Sequence, residues 1–333
     1  MEKFTFIDLF AGIGGFHQAA KTSGGKCLFV SEIDKEAAKA YEANYNIETH
    51  GDITKVDINK IPTHDLLCAG FPCQPFSIIG NKNGFDDIRG TLFFEIAKIL
   101  KYKKTPMIVL ENVKQLATHD NKRTLTRILK TLDDLGYKTY WKILNALDYG
   151  LPQKRERILI VGFLDHSTIF SWPNKKSHYK PLGDILEADV DEKHYASDRI
   201  YNKRQEKHTS AHYPAIWHEN KSGNVSSYPF SCALRAGASY NYLLVNGERR
   251  LTPREMLRLQ GFPDEFKIVC SDSQTRKQAG NAVPVLMIRA VIKEVVNAFT
   301  EVARRKEKEN HRVISARGFS RESNLRDQPV AYI

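Results

Sequence analysis

Residues 4–16 read FTFIDLFAGIGGF. The apolar run from Thr5 to Phe10 predicts a strand, and a glycine-rich turn follows it directly, where missing side chains let a ligand approach the backbone and a helix N-terminus. Further apolar runs predict strands at Cys27 to Ser31, Leu66 to Ala69, Met107 to Glu111 and Arg157 to Gly162. Helical patterns lie between them. Asp34 to Asn44 reads as a helix with an acidic cap, and Leu125, Ile128, Leu129, Leu132 and Leu135 recur at helical spacing before Gly136 ends the run. Alternation of this kind predicts an α/β fold with a doubly wound, mostly parallel sheet.

After about Asp165 the alternation stops, and the chain becomes rich in Ser, Asn, His, Tyr and Lys. A smaller, irregular domain is expected there. In LTPREMLRLQG, residues 251–261, Thr252 caps a helix, Pro253 fits its first position, Glu255 completes a capping box and Gly261 stops it. A second helix, from Pro284 to about Ala303, has a broad apolar face that needs a sheet to cover. These patterns divide the chain into residues 1–185 plus 280–303 as one discontinuous domain, 186–279 as a second with a hinge, and 304–333 as a flexible basic tail.

The 333 residues carry 50 Lys and Arg against 39 Asp and Glu, a net charge of +11. Such an excess points to an anionic partner. It is dispersed, at +3 for residues 1–169, +4 for 170–280, 0 for 281–303 and +4 for 304–333. Five cysteines without a C-x-x-C pair indicate neither a disulfide framework nor a zinc knuckle, so a reducing compartment and no metal are expected. His208 and His212 lack a further ligand. No leader or long apolar span is recognisable, which predicts a cytoplasmic protein without membrane contact.

Glu32 lies twenty positions beyond Gly12, at the end of the second strand, where an acid in this fold accepts hydrogen bonds from ribose hydroxyls. Asp52, expected after the next strand, would reach an adenine amino group. The glycines Gly12, Gly14 and Gly15 form G-x-G-G without the third glycine of the pyrophosphate fingerprint, so a ligand lacking pyrophosphate, such as S-adenosyl-L-methionine, fits better. A plain turn flanked by surface acids is the alternative. Cys73 in AGFPCQPFS is bracketed by Pro72 and Pro75, which fix the loop and aim the thiol. That setting argues against core filler, the usual role of a lone cysteine. Glu111 ends its strand on the same sheet edge, with a helix-capping acid as the alternative. Arg155 and Arg157 alternate along a strand and share a face. An exposed charged edge would look the same.

The ordered blocks DLFAGIGGF (8–16), GFPCQPFS (70–77), ENV (111–113), QKRERI (153–158) and QAGNAVP (278–284) resemble those of cytosine-C5 DNA methyltransferases of bacterial restriction-modification systems. The match spans residues 4 to 165 and 250 to 300. The resemblance implies an S-adenosylmethionine-dependent, Rossmann-like fold with a target-recognition domain. It also implies methyl transfer to carbon 5 of a cytosine flipped out of double-stranded DNA, by a monomer functionally paired with a restriction endonuclease. Cys73 would attack carbon 6, Glu111 would bind N3 and the exocyclic amine, and Arg157 would bond O2 with Arg155 assisting. For the cofactor the resemblance adds Phe10 stacking near the adenine, Ile33 and Ile53 flanking it, and Gly70, Pro72, Leu92, Asn281 and Val283 along the methionine portion. Gln153 would support the pocket through Asn281. Arg235, Tyr240, Asn241, Tyr242, Asn220 and Lys221 are candidates for DNA contacts. An RNA cytosine methyltransferase would share the chemistry, and a non-catalytic DNA-binding relative would not need Cys73, Glu111 and Arg157 intact.

Overall fold

The computed structural model describes residues 3–72 and 92–323, with side chains as far as Lys308. Cys73 therefore lies outside the described residues. The first half runs β1 (Phe4–Leu9), α1 (Gly15–Lys21), β2 (Gly25–Ser31), α2 (Lys35–Tyr45), β3 (Leu66–Gly70), α3 (Leu92–Lys103), β4 (Met107–Val113), α4 (Arg123–Asp134), β5 (Lys138–Asn145), β6 (Gln153–Lys154) and β7 (Glu156–Phe163). Six strands form one sheet in the order β2-β1-β3-β4-β7-β5. The pairs among β1 to β4 are parallel, and β7 runs antiparallel to both its neighbours. The fold is thus doubly wound and mostly parallel.

Alternation along each strand loads both faces of the sheet. Ile7, Leu9, Leu67, Ala69, Ile108, Leu110, Ile158 and Ile160 pack under Phe93, Ile96 and Leu100 of α3 and Leu125, Ile128 and Leu132 of α4. Phe4, Phe6, Cys68, Met107, Val109, Leu159 and Val161 face the opposite layer. That layer includes Phe16 and Ala19 of α1, and Ile288, Val291, Ile292 and Val295 of the last helix, α8. α8 covers the sheet as its apolar face requires, although more than 120 positions separate it from β7.

Beyond β7 come α5 (Asp198–Lys207), β8 (Ile216–Glu219), β9 (Val225–Tyr228), β10 (Ser231–Cys232), β11 (Leu243–Val245), α6 (Pro253–Gln260), α7 (Asp272–Asn281) and α8 (Val285–Ser323). This region is more ordered than its composition suggests. β11, β8 and β9 form an antiparallel sheet, and β10 pairs with β6. A separate core joins Ile216, Tyr242, Leu243 and Val245 to Met256 and Leu259 of α6 and Ala279 of α7. The capping box of α6 is complete, and Gly261 ends the helix at φ 85°. Glu255 also pairs through both oxygens with Arg249, at 2.9 and 2.8 Å.

Four sequence expectations need correction. α8 does not stop near Ala303 but runs on to Ser323 through much of the expected flexible tail. Lys, Arg and Glu are good helix formers, and a helix nucleated by its buried first half extends at little cost. Lys306 also reaches Asp165 at 2.5 Å. Asp52 follows no strand, since none lies between α2 and the short turn at Ile53. Strand β5 has no counterpart among the expected strands, because its residues, with Trp141 and Ile143 exposed at the sheet edge, lack a continuous apolar run. Arg155 falls between β6 and β7, so it and Arg157 do not alternate along one strand.

Candidate active site

The strand–turn junction at the carboxyl end of β1 starts the site. Phe10 turns the chain with φ 56°, Gly12 follows at φ 56° and Gly14 at φ 84°. A Cβ on Gly14 would lie 2.3 Å from the Tyr45 ring, and one on Gly15 would lie 2.7 Å from Val283. Both glycines thus serve close packing behind the turn. Tyr45 donates its hydroxyl to the Gly14 carbonyl at 3.0 Å and stacks on His17 at 3.9 Å, and His17 Nδ1 lies 2.6 Å from the Tyr41 hydroxyl.

Asp8 is buried among these groups. Neither of its oxygens has a hydrogen-bond partner, although the His17 backbone N–H is near. Burial above all, reinforced by the Glu32 carboxylate, holds the Asp8 carboxyl well above the ordinary range. Burial also lowers His17 to about 3, so it is neutral at physiological pH. The groups facing Asp8 are His17 from α1, Cys27 from β2, Tyr41 and Tyr45 from α2, and Cys68 from β3.

A folded-state carboxyl with a raised pKa stabilises fully below its unfolded value, and that contribution falls as pH rises toward the folded value. Asp8→Asn, which stays uncharged, is expected to gain stability relative to the wild type as pH rises above about 4. The gain should grow by about 1.4 kcal/mol per pH unit within the window. Chemical denaturation at several pH values measures it, and a pH-independent difference would show Asp8 to be ionised in the fold.

In front of the turn opens a cavity of about 540 Å³. Its lining includes Phe10, Gly12, Glu32, Ile33, Asp52, Ile53, Gly70, Pro72, Leu92, Asn281 and Val283, so eleven of the thirteen residues expected to hold the cofactor meet there. Gly14 and Gly15 do not line it. Glu32 accepts from the Gly12 amide at 2.7 Å and the Asp34 amide at 2.7 Å, while burial raises its carboxyl. Asp52 accepts from Thr54 N–H at 3.0 Å and its hydroxyl at 2.8 Å. Lys277 of α7 meets Asp34 at 2.6 Å, joining the last part of the chain to the N-cap of α2 beside this cavity.

The other end of the cavity is built on β4 and β7. Antiparallel register sets Glu111 opposite Leu159 and Val113 opposite Arg157, which makes Glu111 and Arg157 diagonal neighbours on one face. Arg157 Nε lies 2.8 Å from Glu111 Oε1. Burial raises the Glu111 carboxyl, and Arg157 and then Arg155 oppose the rise. β7 lies inside the sheet, so the alternative of an exposed charged edge is removed.

Arg155 is fully buried. It donates to the carbonyls of Leu234 at 2.8 Å, Gly280 at 2.9 Å and Ala282 at 2.9 Å, and burial lowers it to about 9. Gln153 does not meet Asn281. Its amide nitrogen donates to Leu259 O at 2.9 Å and its oxygen accepts from Leu234 N–H at 3.0 Å. Asn281 is the exposed last residue of α7, not part of a loop.

Sequence reasoning passed over Asn112, whose side chain donates to Phe71 O at 2.8 Å and so fixes the chain two residues before Cys73. An asparagine at the end of an otherwise apolar strand was the available signal. It also passed over Phe16 and Lys277. Of the candidates for DNA contacts, Tyr242 is buried and accepts from the Arg235 amide at 2.9 Å, whereas Arg235 and Tyr240 are exposed. His208 ends α5 and meets Ser227 Oγ at 2.8 Å, away from any helical pairing with His212. Among the described residues, no helix is long and apolar enough to cross a membrane.

A glycine turn and an acid at the carboxyl ends of β1 and β2 thus share one cavity with a Glu–Arg pair from β4 and β7, in a doubly wound α/β fold. The chain belongs to the C-5 cytosine-specific DNA methylase family, which it matches over residues 4–297. It is 56% identical over 290 residues to the Type II methyltransferase M.NgoBI of Neisseria gonorrhoeae, covering 86% of this chain and 91% of that one. It is 53% identical over 308 residues to the Type II methyltransferase M.HaeII of Haemophilus aegyptius, covering 92% and 96%. Among solved structures, the Dnmt2 methyltransferase of S. pombe superposes with a TM-score of 0.68 at 18% identity, covering 88% of this chain and 98% of that one. The Entamoeba histolytica methyltransferase EhMeth superposes with a TM-score of 0.69 at 17% identity, covering 89% and 99%. The chain is an S-adenosylmethionine-dependent DNA cytosine-5 methyltransferase of the restriction-modification type.

Proposed function

We propose that this protein methylates carbon 5 of a cytosine swung out of a specific duplex sequence, through a covalent bond between Cys73 and carbon 6. The observation that carries the reading is the Glu111–Arg157 pair at one end of the cavity that the Gly12 turn and Glu32 border at the other. S-adenosylmethionine suits the residues present: Glu32 is an acceptor for ribose hydroxyls, Phe10 and Ile33 offer apolar surface for the adenine, and no glycine array calls for a pyrophosphate. Ile53 and Asp52 would flank the same ring, with Gly70, Pro72, Leu92, Asn281 and Val283 along the methionine portion. Bound there, it supplies an electrophilic methyl group.

The protein's own residues make the cytosine receptive. Carbon 5 is too weak a nucleophile unaided, and addition of the Cys73 thiolate at carbon 6 pushes electron density onto it. Glu111, whose carboxyl burial holds toward its protonated form, hydrogen-bonds N3 as negative charge develops there. Arg157 orients Glu111 and bonds O2. After methyl transfer, loss of the carbon 5 proton to water or hydroxide lets the carbon 6–sulfur bond break and returns the thiolate. Arg155, committed to three carbonyls, assists by holding the pocket wall. Residues 1–185 with 280–303 form the catalytic domain and 186–279 the recognition domain. The protein acts as a monomer in the cytoplasm, protecting host DNA from a partner endonuclease.

Methylation mapping of a plasmid after expression identifies the recognition sequence. A duplex carrying 5-fluorocytosine at the mapped position is then expected to trap the enzyme in a denaturant-stable adduct, because fluorine cannot leave carbon 5 as a proton does. Turnover on the normal duplex without any adduct on the fluorinated one would overturn the covalent mechanism.

A further inference from the structure

A second cavity of about 200 Å³ lies in the region of residues 193–276 and adjoins the first at Leu234 and Arg235, which line both. Its floor is apolar, formed by the buried side chains of Leu243, Leu251 and Met256. Two rings and two guanidinium groups make up much of its wall. Arg235 sits 4.8 Å from the Tyr242 ring centre, and Arg276 sits 4.4 Å from the Tyr240 ring centre and 6.0 Å from that of Tyr242. Arg276 also donates to the Ser239 carbonyl at 2.7 Å, which holds the loop bearing Tyr240. Lys193 and Arg250 add further positive charge, against the single lining carboxylate of Asp272, which Lys193 already meets at 3.2 Å. The wall packs closely against the first cavity, since a Cβ on Gly280, which lines that cavity, would lie only 2.4 Å from the Ala236 nitrogen.

An apolar floor, an exposed aromatic ring and a cationic rim complement a flat heterocycle that carries negative charge. The site has room for one base and not for a base pair. In a duplex the faces of each base are covered by its neighbours, so only a base displaced from the stack can lie against a side-chain ring. We propose that this second cavity takes one base of the DNA substrate other than the target cytosine, unstacked from the duplex. Tyr240 packs against its face, and its phosphate lies toward Arg235 and Arg250. The proposal rests on reading the first cavity as the site of cytosine methylation.

The test places 2-aminopurine at one position at a time through both strands of the mapped recognition duplex and follows its fluorescence on binding. With the wild-type protein, the signal is expected to rise at the target position and at one further position. Tyr240→Ala, at a residue 53% exposed and therefore compatible with folding, should abolish the second rise and keep the first. It should raise KM for the duplex about tenfold, as loss of one base–aromatic contact does, with KM for S-adenosylmethionine unchanged. Tyr240→Phe should behave as wild type. No response beyond the target position, or a Tyr240→Ala variant with an unaltered KM for the duplex, overturns the proposal. A wild-type protein giving no rise at the target position would instead overturn the methylation reading beneath it.

Discussion

Cys73→Ala is expected to lower methyl transfer by about 10⁴-fold or more, since removing a covalent nucleophile leaves only binding and charge stabilisation to act on the substrate. Carbon 5 then stays part of an intact aromatic ring, and neither Glu111 nor Arg157 can supply the electron pair that the thiolate contributes. Binding should survive, because the residues lining the cavity near the Gly12 turn are untouched. Single-turnover methylation with labelled cofactor measures the loss, and titration calorimetry measures retained affinity for S-adenosylmethionine. Turnover within tenfold of the wild type would remove Cys73 from the mechanism.

Arg155→Met is expected to cost about 3–5 kcal/mol of stability, a consequence of what the guanidinium holds rather than of its charge. Methionine approximates the volume but leaves the carbonyls of Leu234, Gly280 and Ala282 without the donors that the buried guanidinium supplies. Each buried acceptor left unpaired costs on the order of 1–3 kcal/mol. These carbonyls come from the segment after β10, the end of α7 and the link to α8, so their release also loosens the wall shared by the two cavities. Urea denaturation followed by circular dichroism reads the stability, and a rise in KM for S-adenosylmethionine accompanies it. A loss below about 1 kcal/mol would show that these contacts add little to the fold.

The two outcomes separate what was legible in the chain from what was not. The strand–turn signal at residues 4–16 located β1 and the glycine turn, because a short apolar run and glycine both act over a few residues. Glu32 followed from its spacing to that turn, since in an α/β sheet successive loops at the carboxyl ends of parallel strands gather at one edge, whereas the apolar lining of the cavity came from the resemblance to the family. The helix at 253–260 was equally plain, as its cap, box and terminal glycine are all local. The charge-rich continuation of α8 was misread because composition alone does not distinguish a solvated helix from an unfolded tail.

Sequence by itself determined the α/β class and the order of the motifs, and its resemblance to a known family singled out Cys73, Glu111 and Arg157 as the candidates to act on a cytosine. Tertiary structure decided which of the described residues meet. The register of β4 against β7 brings Arg157 to 2.8 Å from Glu111, a pairing across 46 positions that no local pattern encodes. The same structure assigns Arg155 to three distant carbonyls instead of to a shared face with Arg157, and gathers Arg235, Tyr240, Tyr242 and Arg276 around a second cavity. The physical reason is common to all three. Periodicity follows from backbone geometry one residue at a time, whereas the partner of a buried charge depends on which distant segments the packed core brings beside it.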